Sequence, residues 1–260
     1  MLIASIGDSL AFGTGAHGPE DGQRGFVKNV AEAVPDSKFM QFARPGARLR
    51  NALSEQLGPA LLVKPDILFV TGGMNDVLRG DFDKEEVQQC VDQIFAAGAA
   101  IGALVVSIRL PHLDTRYRLP TRINEIARER INEVNAAFDH AARWWGSFFL
   151  DFTDHPWMTH RSSWHIDRMH PSEAGHRALA RLITPVLSQM GVVVAHEFSV
   201  KQSEHEYPVT KASNKLAMTW WVLTHVVPWV IWRSYDLFPQ LIQDLWAVTR
   251  RKLGKDFSSN

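Results

Sequence analysis

The chain has 260 residues, room for one large domain or for one domain with an appendage. Hydrophobic residues at 45% and charged residues at 22% are ordinary for a globular protein, and Lys+Arg and Asp+Glu balance at 28 each. That balance lacks the basic excess of a nucleic-acid partner. The single cysteine, Cys90, excludes a disulfide framework within the chain. It falls among Val87, Val91 and Ile94 at helical spacing, which predicts a buried core thiol.

In chain order, short apolar runs alternate with helical patterns. Strands are predicted over 2–7, 38–43, 66–71, 103–108 and 147–151, and helices over about 22–34, 48–58, 83–98, 121–144 and 172–190. Asp83-Lys84-Glu85-Glu86 is a strong helix start, with acids in the first turn, and Pro171-Ser172-Glu173 opens the last helix. This alternation predicts an α/β fold: a parallel sheet with helices on both faces. Met1 and Leu2 already belong to the first strand. No basic segment or small-residue cleavage site precedes it, so the expected location is cytoplasmic.

The tail differs in character. Residues 1–191 read as one α/β domain, 192–211 as a linker rich in polar residues, and 212–260 as a helical extension holding five of the nine tryptophans: Trp220, Trp221, Trp229, Trp232 and Trp246. Leu216 to Trp232 is free of Asp, Glu, Lys and Arg for 17 residues, the short limit for a spanning helix of roughly 17–25. Thr219, Thr224, His225 and Pro228 interrupt it. Two amphipathic helices docked on the body are the favoured expectation. A lid over a pocket is the second, and an interfacial membrane contact through 212–254 the third.

Three motifs carry chemistry. Ile3-Ala4-Ser5-Ile6 runs straight into Gly7-Asp8-Ser9-Leu10, which puts a serine at the carboxyl end of the first strand, where open α/β sheets bind ligands. A hydroxyl there becomes a nucleophile only with a base hydrogen-bonded to it; otherwise Ser9 is a helix cap. Asp167-Arg168-Met169-His170 supplies such a base. His170 can take the proton of Ser9, and Asp167, three residues before it on a tight loop, can hold its tautomer. His165 and His176 are local rivals, but His176 lies inside the last helix beside Gly175 and Ala178, on a packed face. Gly72-Gly73-Met74-Asn75-Asp76 follows the apolar run 67–70 and places an amide, Asn75, at another strand end. With the Ser9 backbone N–H it could hold an oxyanion. Asp8 reads as structural, its carboxylate accepting backbone N–H groups.

Two rivals fare worse. Gly13-Thr14-Gly15-Ala16-His17-Gly18 matches the dinucleotide fingerprint G-x-G-x-x-G, but it starts six residues after Gly7 and the second strand ends at Arg44 with no acid. His155, His160, His165 and His170 recur every five residues, a period that puts ligands neither on one helix face nor across a short hairpin. Neither a metal nor a cofactor is expected. Pro156, Trp157 and Trp164 suggest an aromatic loop near the site mouth.

Together these blocks resemble the SGNH (GDSL) hydrolase family. Gly7-Asp8-Ser9-Leu10 is similar to its first block, Gly46 to the single glycine of its second, Gly73-Met74-Asn75-Asp76 to its third and Asp167-Arg168-Met169-His170 to its last. The resemblance covers roughly residues 1–191. It implies a flavodoxin-like three-layer fold with five parallel strands, a serine esterase acting on small acyl esters, catalytic Ser9, Asp167 and His170, and an oxyanion hole of Ser9, Gly46 and Asn75. The alternatives within that chemistry are a carbohydrate O-deacetylase and a lysophospholipase or thioesterase; outside it, a non-catalytic binding module on the same fold. The tail is similar to extensions on actinobacterial members of the family.

Overall fold

A computed structural model of the chain describes residues 1–16, 25–117, 120–165 and 167–195. The expectations for the extension at 212–260, for most of the linker, and for His17 and Gly18 in the glycine-rich stretch lie outside the described residues. Among the described residues, no helix is long and apolar enough to cross a membrane.

Five strands form one parallel sheet: β1 (Leu2–Gly7), β2 (Lys38–Gln41), β3 (Ile67–Thr71), β4 (Leu104–Ile108) and β5 (Phe148–Leu150), in the order β2-β1-β3-β4-β5. Every neighbouring pair is parallel. β3 is buried at all five positions, which is why it reads as an unbroken apolar run instead of an alternating one. Its side chains still alternate in direction. Ile67 and Phe69 join the core with α2 (Phe26–Ala33) and α9 (Glu173–Gln189), where Phe26 meets Phe69 edge-on at 5.7 Å between ring centroids. Leu68 faces α6 (Lys84–Ala100): a Cβ at Gly98 would sit 3.6 Å from Leu68 and 2.5 Å from Val105. On that second face α6 packs against α7 (Thr121–Trp144), with Phe95 edge-on to Phe138 at 5.8 Å. With the shorter helices α1 (Ser9–Phe12), α3 (Leu49–Asn51), α4 (Gly58–Leu62), α5 (Met74–Val77) and α8 (Pro156–Thr159), the result is the three-layer, flavodoxin-like α/β fold.

β2 ends two residues before the predicted boundary, yet the chain remains tied to the sheet. Phe42 and Ala43 both donate to the Ser5 carbonyl, at 2.9 and 3.1 Å, and Arg44 donates to Gly7 at 3.0 Å. Ladder bonds without a continued strand explain why the apolar pattern runs past Gln41. Asp83 caps α6 by accepting from Glu85 and Glu86, as its position before two acids predicts. Cys90 is a free, buried thiol on this helix. At the far end, Val192 is buried and the Ala195 N–H donates to Ala33 at 2.8 Å.

His176 shows how the fold uses a histidine structurally. It is fully buried on α9 and stacks parallel to Phe26 at 6.4 Å. Its Nδ1 accepts from the Phe26 N–H at 3.2 Å, and its Nε2 lies 3.0 Å from the Thr14 carbonyl. This pairing needs the neutral ring with the proton on Nε2, because the imidazolium has no lone pair for the Phe26 N–H at the start of α2. Burial pushes the His176 pKa down to about 4, against the hydrogen bond to Thr14. Since the unfolded value near 6.5 is higher, the unfolded chain takes up the proton first. The contribution is complete above about pH 6.5 and is lost as pH falls toward about 4, by up to about 3 kcal/mol. In urea titrations at successive pH values, His176→Leu is therefore less stable than the parent at pH 7, and its stability falls less steeply between pH 6.5 and 4.5. Equal slopes for the two proteins would remove His176 from this role.

Candidate active site

β1 delivers Ser9 through a constrained turn. Gly7 has φ +118°, and a Cβ there would lie 1.7 Å from the Thr71 carbonyl oxygen, so only glycine lets the ends of β1 and β3 close up. The side-chain amide of Gln56 clamps the same residue, accepting from Gly7 N–H at 2.6 Å and donating to Gly7 C=O at 3.1 Å. Asp8 then caps α1 (Ser9–Phe12): its Oδ1 accepts from Leu10 N–H at 3.0 Å and from the Thr71 hydroxyl at 2.9 Å. Thr71 in turn accepts from Ala11 N–H at 3.2 Å. Burial raises the Asp8 pKa in spite of these bonds. Asp8 is thus a buried bracket between β1 and β3, the role read from its position. Gly13, from the glycine-rich motif, ends α1 in the left-handed conformation at φ 91° and donates to Ser9 and Leu10.

The opposite side is a loop closed on itself. Trp164 and Pro171 pair as an antiparallel bridge, His165 N–H donates to His170 C=O at 2.9 Å, and Arg168 N–H donates back to His165 at 3.0 Å, with Arg168 at φ 57°. Inside this loop the Asp167 carboxylate is surrounded by donors. Oδ1 accepts from Met169 N–H at 2.8 Å and His170 N–H at 3.0 Å; Oδ2 pairs with His170 Nδ1 at 2.8 Å and lies 3.3 Å from His165 Nδ1. Burial works to raise the Asp167 pKa, but the bonds from His165 and His170 and the charge of His170 outweigh it. The group is held well below the usual carboxylate range. The other nitrogen of His170, Nε2, is 2.9 Å from Ser9 Oγ. The structure therefore brings Ser9, His170 and Asp167 into one hydrogen-bonded line across 161 residues of sequence.

Asn75 and Gly46 arrive from two further strand ends. Gly46 follows Pro45 in a turn closed by Ala47 N–H to Arg44 C=O at 3.2 Å, and its φ of +79° at the third turn position is the signature of a type II turn. A Cβ at Gly46 would meet nothing within 4 Å, so the demand for glycine comes from backbone angle, and the space above it is open. Asn75 lies in α5 (Met74–Val77) and donates through Nδ2 to the Ala47 carbonyl at 3.0 Å, which ties the two loops together. Beneath them Arg48 Nε donates to Asp76 Oδ1 at 3.1 Å, and the other Asp76 oxygen accepts from Leu49 N–H at 3.2 Å. Asp76 is 1% exposed; its burial raises its pKa even against the Arg48 guanidinium.

The four histidines at period five take four different roles. His155 caps α8 (Pro156–Thr159) by accepting from Trp157 N–H, His160 pairs with Ser162, His165 faces Asp167 and His170 faces Ser9. Trp157 is a correction: it is 3% exposed and belongs to the core, 5.2 Å from Trp164, and does not line a mouth. Tyr117 and Arg116 also border the site, and no sequence motif marks them. The Tyr117 hydroxyl donates to the Asp167 carbonyl at 2.8 Å, and the Arg116 guanidinium lies 3.9 Å over the Trp164 ring. Burial pushes the phenol up to about 12 and the guanidinium down to about 10.

Strand order 2-1-3-4-5 reverses direction between β1 and β3, the switch point where open α/β sheets place their ligands, and Ser9 and Asn75 follow those two strands. A serine, a histidine and an aspartate in line at that crevice define the class, an α/β hydrolytic enzyme. The chain matches the GDSL-like Lipase/Acylhydrolase family over residues 5–178 and belongs to it; it is a serine hydrolase acting on ester bonds. Solved structures with the same fold include a psychrotrophic esterase, EstA, from Pseudoalteromonas sp., at 15% identity and a TM-score of 0.55, covering 73% of this chain and 97% of that one. A lipase/acylhydrolase from Enterococcus faecalis aligns at 18% identity and TM-score 0.56, over 73% and 96% of the two chains. The acetylxylan esterase Axe2 from Geobacillus stearothermophilus, in a catalytic mutant, aligns at 18% and 0.56, over 71% and 92%. No curated protein matches this chain in sequence.

The buried Arg48–Asp76 pair yields a test of how these loops are held. Asp76→Ala removes the nearer carboxylate of the buried Arg48 guanidinium and leaves it only Glu86 at 3.9 Å, which destabilises the fold by about 3 kcal/mol. It also frees the Leu49 N–H under Gly46 and Asn75. Urea unfolding measures the first effect; a fall in kcat at a temperature where the variant is fully folded measures the second. A variant with parent stability would show that the pair holds nothing.

Proposed function

We propose that the protein is a serine esterase that cleaves carboxylic esters through an acyl-serine intermediate. The observation that carries this reading is the line from Ser9 Oγ through His170 to Asp167, at 2.9 and 2.8 Å. His170 Nε2 takes the Ser9 proton as Oγ bonds to the ester carbonyl carbon. The carbonyl oxygen becomes an oxyanion, received by the N–H groups of Ser9 and Gly46 and the amide of Asn75. Ser9 is the first residue of α1, so its N–H has no partner within the helix. Asn75 spends one N–H on Ala47 and keeps a second. Each such donor lowers the barrier by about 3–4 kcal/mol. Collapse of the tetrahedral intermediate breaks the C–O bond, and the proton on His170 passes to the leaving alkoxide. Water, deprotonated by His170, then releases the acid and restores Ser9. Asp167 keeps the proton of the resting ring on Nδ1, which leaves Nε2 free to act as base.

The Pseudoalteromonas esterase was solved inhibited by monoethylphosphonate, a phosphonate that mimics a tetrahedral acyl centre. The same chemistry supplies the test here. Ser9→Ala is expected to lose at least about 10⁴-fold in ester turnover and all covalent labelling by a fluorophosphonate, with an unchanged melting temperature. His170→Ala should fall comparably. Labelling that persists at Ser5 or Ser107 would move the nucleophile.

Chain-length preference decides the finer reading. The measurement is kcat/KM across 4-nitrophenyl esters from acetate to dodecanoate. Strict preference for acetyl groups on a glycan would make the protein a carbohydrate O-deacetylase, the kind of activity named for the Geobacillus neighbour. Preference for long acyl chains would favour a lysophospholipase or thioesterase.

A further inference from the structure

We infer that His165 is a positioning residue that shares the Asp167 carboxylate with His170 and thereby sets how readily His170 accepts its proton. The inference rests on the proposed roles of Ser9, His170 and Asp167. Its ground is geometric. Asp167 Oδ2 faces two imidazoles at once, His170 Nδ1 at 2.8 Å and His165 Nδ1 at 3.3 Å. Both imidazoles and the carboxylate are shielded, at about one-fifth exposure each. His165 is held there by its own backbone, bonded to His170 C=O and Arg168 N–H on either side of the peptide. Its side chain meets the Asp167 carboxylate, and it acts on the reaction through that carboxylate.

The direction of the effect follows from charge. The imidazolium form of His170 is stabilised by the negative charge on Oδ2. The His165 ring, with Nδ1 3.3 Å from that oxygen, offsets part of the charge, and more when it carries a proton. Either way, His165 makes His170 a weaker base and keeps it in its working, neutral form to lower pH. Other groups around the pair are the Tyr117 hydroxyl on the Asp167 carbonyl, Arg116 over Trp164, Arg168 within the loop, Asp8 beside Ser9, and buried His176 on α9. Among the described residues, the side chains recorded at the Asp167 carboxylate are those of His165 and His170, and substitution at 165 leaves the other groups in place.

The test is the pH dependence of kcat/KM for a short-chain 4-nitrophenyl ester in the parent, His165→Ala and His165→Asn. The asparagine Nδ2 can occupy the place of the imidazole Nδ1 and donate to Oδ2. In His165→Ala the pH of half-maximal activity is expected to rise by about half a unit or more, and in His165→Asn to return toward the parent. A fall in activity at all pH values with an unmoved midpoint would reduce His165 to a packing residue and overturn the inference. If His165→Ala does not fold, His165→Asn and His165→Gln decide: midpoints that differ between the two, with asparagine nearer the parent, support it, and equal midpoints overturn it. His170→Ala runs in parallel. Full activity there would overturn the underlying assignment of the base, an outcome distinct from an unmoved midpoint in the position-165 variants.

Discussion

The site depends on how closely β1 and β3 approach at their carboxyl ends. Gly7 has no side chain to hold the Thr71 carbonyl away, so the two strands converge until Asp8 can bond the Thr71 hydroxyl. That bond fixes the turn in which Ser9 stands, and the Gln56 amide closes it from behind. Parallel neighbours cannot share a tight hairpin, and here side chains tie the strand ends down in addition to the backbone ladder. Asp8, Thr71 and Gln56 do this, and their burial makes each bond hard to give up, because the released group would have no water to turn to.

The second half of the site is built on the opposite principle. The loop from Trp164 to Pro171 closes through its own backbone bonds, and the Asp167 carboxylate organises it by accepting from Met169 and His170 N–H groups while pairing with His170 Nδ1. One carboxylate thus shapes the loop and orients the ring. Tyr117 anchors the loop from outside by donating to Asp167. On its other side, Gly175 lets α9 begin close against the preceding turn, since a Cβ there would lie 2.0 Å from the Ser163 carbonyl oxygen. Ser9 and His170 therefore come from two separately tied pieces, one at the end of β1 and one at the head of α9, which packs against α2.

Titratable groups in the fold divide by environment. His176 and Asp8 are sealed in and pushed toward their neutral forms, whereas Asp167, only partly shielded and rich in donors, is pushed toward its charged form. The proposed chemistry needs this division. A neutral Asp167 could not stabilise the His170 imidazolium, and a charged His176 could not accept the N–H at the head of α2.

By itself the sequence determined the α/β class, the five strands to within about two residues, and the blocks containing Ser9, Gly46, Asn75, Asp167 and His170. These features are local: a buried strand is a run of apolar residues, a turn at positive φ calls for glycine, and a carboxylate three residues before a histidine can reach it within one loop. His176 was legible as a packed residue for the same reason, from its small neighbours on one helix face. Tertiary structure alone decided the rest. Tyr117 meets Asp167 across 50 residues, Gln56 clamps Gly7 across 49, and Arg48 finds Asp76 across 28. No local pattern marks such partners, because each is chosen by which strand ends and loops the sheet order brings side by side. The burial of Trp157 belongs with them: a tryptophan after a proline reads equally well as a rim or as a core residue, and only the closure of α8 beneath Trp164 put it inside.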